Sequence, residues 1–187
     1  MDNDGMTPNE LLQPILGQIQ QDGDQALISL DGLIDVYDRD ARLHFLRGSV
    51  LAGLERYTEA RTAMQKAIEI APGYALARYQ LGFLELTSGD ANAAQSTWHP
   101  LLDLPSDNPL KLFVQGMNKL IVDDFDAAVP LLEEGIRLNT EVPPMNKDVG
   151  LILQQIRERL QPQVAVEDVD SGAHFLLRQY SFKDTKH

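Results

Sequence analysis

The sequence predicts an all-α protein: about four stacked helical hairpins closed by one further helix. Three observations carry this. Small residues recur every 34 positions, as Ala26, Ala60, Ala94 and Ala128, with Gly48, Gly82 and Gly116 on the same step. Asp24, Thr58, Asn92 and Asp126 stand two residues before each Ala and are all good helix-capping types. Apolar residues follow each Ala four and eight positions later, on one helical face: Leu30/Ile34, Met64/Ile68, Trp98/Leu102 and Leu132/Ile136.

Each element follows from local chemistry. Thr7-Pro8-Asn9-Glu10 reads as a capping box with Pro at the first helical position, and Asp22-Gly23 as the turn that closes the first helix. This hairpin is degenerate, since Pro14 sits where the others have Gly. Asp40 opens the second hairpin, and Glu55-Arg56-Tyr57 is its turn. The third turns at Gly89-Asp90. Its second helix carries Trp98, which shares a column with Leu30, Met64 and Leu132 and is expected in the core. Pro100 removes a backbone hydrogen bond there, so a kink or an early end is expected. Asn108-Pro109 opens the fourth hairpin, which turns at Asp123-Asp124. Beyond it, Val149, Ile152, Leu153, Ile156 and Leu160 form one apolar stripe, with Pro144 and Pro162 bracketing the helix. Such a helix covers the last apolar face of an array.

The stretch LRGSVLAGLERYTEARTAMQKAIEIAP, residues 46–72, resembles the tetratricopeptide repeat through Gly48, Tyr57, Ala60, Ala67 and Pro72. LGFLELTSGDANAAQSTW and QGMNKLIVDDFDAAVPLLEEGI resemble it through Gly82, Gly89 and Ala94, and through Gly116, Phe125 and Ala128. The family's usual aromatic near the start of each hairpin is replaced by Glu10, His44, Arg78 and Leu112. The resemblance implies a right-handed solenoid. The organisation expected is an N-terminal tail at 1–6, repeats at 7–40, 41–74, 75–108 and 109–142, a capping helix at 143–161, and a linker with an apolar C-terminal tail at 162–187.

Composition narrows the function. Net charge is −12, and residues 1–40 hold nine carboxylates against Arg39 alone. That balance repels phosphate backbones, so no nucleic-acid partner is expected. No run reaches 18 apolar residues, so no membrane insertion is expected. The start, MDNDGMTPNE, lacks the basic and apolar regions of a secretory signal, and Cys is absent, so a cytoplasmic location is expected. His44, His99, His174 and His187 lack chelating spacing, and neither a phosphate loop nor a nucleophile motif occurs. The expectation is therefore no enzyme, no cofactor and no metal.

By resemblance, first helices line a concave face that binds peptides. The residues carried onto it are Leu11, Ile15, Phe45, Ser49, Tyr79, Phe83, Leu86, Phe113, Met117, Leu120 and Ile121. Family members that grip a C-terminal carboxylate present Lys and Asn there, whereas Phe, Ser, Tyr and Met stand here, so that clamp is not expected. An exposed apolar groove calls for a cover: a partner's apolar peptide, a second copy, or this chain's own tail. The alternative is that these side chains are inter-helix core. The function expected is a protein-interaction scaffold that holds an apolar peptide or helix of a partner, chaperone-like in secretion or complex assembly. The alternative is a self-associating regulatory or structural subunit that uses the groove for dimerisation or tail docking.

Overall fold

The structure is a computed structural model, and it describes residues 6–160. The linker and apolar tail expected at 162–187 lie outside the described residues. Among the described residues every regular element is helical: α1 (Asn9–Gln21), α2 (Gly23–Ile34), α3 (Ala41–Gly53), α4 (Tyr57–Ile70), α5 (Ala75–Thr87), α6 (Ala91–Trp98), a 3-10 helix (His99–Asp103), α7 (Pro109–Ile121), α8 (Phe125–Leu138) and α9 (Pro143–Leu160). The chain divides into two compact units, Met1–Leu84 and Glu85–His187. No helix among the described residues is long and apolar enough to cross a membrane.

In the first unit α1 packs on α2, α2 on α3 and α3 on α4. The small-residue columns set how closely paired helices approach. Ala26, Ala60, Ala94 and Ala128 are all fully buried. A Cβ on Gly48 would come within 2.6 Å of the Met64 side chain and 3.1 Å of the Ala60 carbonyl, so α3 meets α4 there backbone to backbone. The second unit repeats this where α7 packs on α8: a Cβ on Gly116 would lie 2.5 Å from Leu132. Leu30, Met64, Trp98 and Leu132 fill the column beside the alanines, and none is more than 2% exposed. Each such side chain contributes ~1.5–3 kcal/mol on burial. Trp98 is thus core.

The caps correct one sequence expectation. Second helices begin two residues earlier than Asp24, Asn92 and Asp126 suggest. The side chains of Asp22, Asp90 and Asp124 accept the backbone N–H of Gln25, Ala93 and Ala127 at 3.0, 2.9 and 3.2 Å. Asp24 and Asp126 lie in the first turn instead, where a carboxylate suits the positive end of the helix dipole. Hairpin two substitutes Arg56, whose guanidinium pairs with Glu59 at 2.7 Å and makes no cap bond. The capping box at Thr7–Glu10 does not form: Pro8 holds the cap position without a side-chain bond.

Three first helices end alike. Glu55, Gly89 and Asp123 take positive φ of 62°, 89° and 57°. The next N–H reaches back five residues: Arg56 to Leu51 O, Asp90 to Glu85 O and Asp124 to Lys119 O, at 2.9, 2.9 and 3.0 Å. This is a Schellman closure repeated on the 34-residue step. Pro100 ends α6 at Trp98 and sits in the first turn of the 3-10 helix, where its missing N–H costs nothing.

α9 packs on α8 through Val149, Ile152, Leu153 and Ile156, all buried, whereas Leu160 projects outward and leaves the expected stripe. An asparagine pair fixes its start. Asn139 Nδ2 donates to Asn146 Oδ1 and to Val142 O at 2.8 Å, and Asn146 Nδ2 donates to Asn139 O at 3.0 Å.

Candidate functional site

The residues assigned to the groove fall into three sets. Leu11 is exposed, at 44%. Phe45, Ser49, Phe83 and Ile121 are half-buried. Ile15, Tyr79, Leu86, Phe113, Met117 and Leu120 are buried, so the expectation of an open lining made of all eleven is corrected for these six. The physical cause is visible at Phe113. A Cβ on Gly135 would lie 2.5 Å from the Phe113 ring, so the ring occupies the space that the glycine leaves on α8. An aromatic on a first helix reads the same in sequence whether it turns inward or outward.

In the first unit the aromatic residues meet. Phe45, on α3, and Tyr74, just before α5, have ring centroids 5.2 Å apart at 57°. Tyr79 and Phe83, one turn apart on α5, stack at 6.2 Å and 14°. Burial pushes the Tyr74 phenol above its ordinary range, against the nearby Arg42 charge, which pulls it down. Ser49 spends its hydroxyl on the Phe45 carbonyl at 3.0 Å. The face is therefore aromatic and aliphatic, with little free polar capacity on α3.

A polar lock that the sequence did not signal sits at the start of α3. The Asp40 side chain is fully buried. It accepts the Thr7 N–H at 2.8 Å, the Arg42 N–H at 3.0 Å and the Arg42 guanidinium at 2.7 Å. Arg42 also donates to Thr7 O at 2.7 Å and to Asn9 Oδ1 at 3.2 Å. Burial alone would raise the Asp40 pKa. The Arg42 guanidinium and the two N–H donors outweigh it and hold the carboxyl at about 2. The sequence marked Asp40 only as a cap; its partner 33 residues upstream carries no sequence signal.

A charged cleft of about 420 Å³ lies elsewhere in the first unit, lined by Asp38, Arg39, His44, Lys66, Glu69 and Ile70. His44 Nε2 donates to the Asp38 carbonyl at 2.8 Å. Among the described residues, no three His, Asp or Glu side chains gather as metal ligands.

Comparisons with known proteins agree with this fold. A tetratricopeptide-repeat family model matches residues 20–75. Among curated proteins, none matches by sequence. Among solved structures, MamA 41-end from Desulfovibrio magneticus RS-1 is similar at 12% identity and TM-score 0.58, covering 87% of this chain and 99% of that one. A second MamA structure is similar at 19% identity and TM-score 0.57, over 68% of this chain and 75% of that one. YrrB, described as a TPR protein with an unusual peptide-binding site, is similar at 17% identity and TM-score 0.54, over 90% of this chain and 87% of that one. The chain is an all-α protein with the fold of these solenoid proteins, and residues 20–75 match the tetratricopeptide-repeat model.

Proposed function

We propose that the protein is an interaction scaffold whose first unit holds an apolar segment of another protein on the face made by α1, α3 and the part of α5 up to Leu84. One observation carries this reading. Leu11 stands exposed, and Phe45, Ser49 and Phe83 are half-buried at equivalent faces of successive first helices. Apolar side chains left partly open on a rigid helical array form a helix- or strand-receiving surface. The buried residues Ile15 and Tyr79 act beneath it as support. The peptide-binding site named for YrrB is consistent with the same use of the fold. A chaperone-like role, shielding an apolar segment of a partner before secretion or assembly, is the finer form of the reading.

Selection of binding peptides from a random display library tests it. Selected sequences should be apolar, and Leu11→Asp and Phe45→Ala should each weaken the best peptide at least tenfold while the helical content stays that of the parent. Polar peptides that bind both variants as tightly as the parent protein would remove the proposal.

A further inference from the structure

We infer that the Tyr74 hydroxyl reads the main chain of the segment held against Phe45, and that this selects an extended, uncharged apolar segment over a helix; the inference rests on the interaction face proposed above. Arg42 and Ser49 stand three residues before Phe45 and four after it, on the same side of α3. Tyr74 meets Phe45 directly, with ring centroids 5.2 Å apart. The first two are committed. Ser49 donates its hydroxyl to the Phe45 carbonyl at 3.0 Å. Arg42 directs Nε to Asp40, Nη1 to Asn9 Oδ1, and Nη2 to Asp40 and the Thr7 carbonyl. Its charge is matched by the buried Asp40 carboxylate. Tyr74 differs. Its carbonyl accepts the Arg78 N–H at 3.1 Å, and its N–H donates to the Ala71 carbonyl at 2.9 Å. The hydroxyl has no hydrogen-bond partner among the described residues, and its oxygen is not enclosed.

Burial pushes the Tyr74 phenol above its ordinary range, so at neutral pH it keeps its proton and offers an O–H. A segment laid over Phe45 and Tyr74 strips water from that hydroxyl, and a donor left unpaired there weakens binding. A helix keeps its carbonyls in its own ladder except in the last turn. An extended segment leaves every main-chain carbonyl free. It can give one to Tyr74 whatever its side chains are, and still lay alternate side chains on the Phe45 ring. A carboxylate on the segment would gain nothing from Arg42, whose charge Asp40 already matches, and would lose its water.

The full chain and the tightest peptide from the display selection test this. Tyr74→Phe keeps the ring against Phe45, so helical content and thermal unfolding should stay those of the parent. Its affinity for the peptide should fall about five- to tenfold. Each peptide amide is then replaced in turn by an ester, which weakens one carbonyl as an acceptor. One ester should weaken binding to the parent about fivefold and binding to Tyr74→Phe hardly at all. The ¹³Cα shifts of the bound peptide should lie in the extended range. Phe45→Ala should weaken the peptide and all its esters. Equal affinity of Tyr74→Phe and parent overturns the inference. So do ester losses that match in the two proteins, coupling of Tyr74 to a peptide side chain alone, or helical shifts in the bound peptide. If Phe45→Ala weakens binding and Tyr74→Phe does not, the face stands and the main-chain reading falls. If neither variant weakens binding, or the library yields no apolar binder, both fall.

Discussion

Replacing Asp40 by Asn should release the first hairpin. In the folded chain the carboxyl is held at about 2, against 3.8 for an ordinary Asp. Nearly two pKa units at ~1.4 kcal/mol each give ~2–3 kcal/mol of stability at neutral pH. The group is fully buried, so the figure needs no discount for solvent. Arg42 is 32% exposed and stays hydrated when its partner is lost, which keeps the cost below the ~3–5 kcal/mol of a wholly buried pair. The folded pKa is depressed, so the unfolded chain binds the proton first as pH falls. The stabilisation is therefore complete above about pH 4 and disappears as pH drops toward 2.

Urea unfolding of the Asp40→Asn protein and its parent should differ by ~2–3 kcal/mol at pH 7, and the difference should close near pH 2. Because repeat arrays open locally, amide exchange in α1 should accelerate before that in α4. A difference under ~0.5 kcal/mol at pH 7, or one undiminished at pH 2, would refute the argument, since the first leaves no room for a measurable coupling and the second removes its electrostatic origin.

Two further predictions follow from the backbone. Gly89→Ala should lose ~1 kcal/mol and Glu55→Gly should gain a similar amount, because both positions hold positive φ; thermal unfolding of the pair reads the opposite signs. Asn146→Ala should cost ~1–2 kcal/mol by removing its bonds to the Asn139 side chain and carbonyl, while the Asn139 amide keeps Val142, with amide exchange rising first in α9.

The period, the paired helices and the buried Ala and Trp98 columns were legible because they depend on residue size and spacing, which every repeat states again. The caps were legible by type and displaced by two residues: Asp22 and Asp24 are both good caps, and only backbone geometry chooses between them. The Asp40 lock was not legible, because its donors, Thr7 N–H and the Arg42 fork, are joined to it by folding. The groove was legible as a set of columns and not as a surface. Phe45 and Phe113 share a column, yet one is half-buried and the other has no exposed surface.

Gly135 explains that last difference, and its substitution tests the explanation. In the second hairpin the equivalent residue is Ala67, which carries a methyl where Gly135 has none. Phe45 is accordingly turned toward Tyr74, 5.2 Å away. Helix propensity alone makes Gly135→Ala stabilising by ~1 kcal/mol. The added methyl, 2.5 Å from the ring, makes it destabilising by ~1–3 kcal/mol unless Phe113 swings out. In a Phe113→Ala background the clash is gone, so the same change should recover the propensity gain. Unfolding free energies of the four proteins in this cycle decide the matter: a gain from Gly135→Ala in both backgrounds means that one missing methyl does not set which way the first-helix aromatic turns.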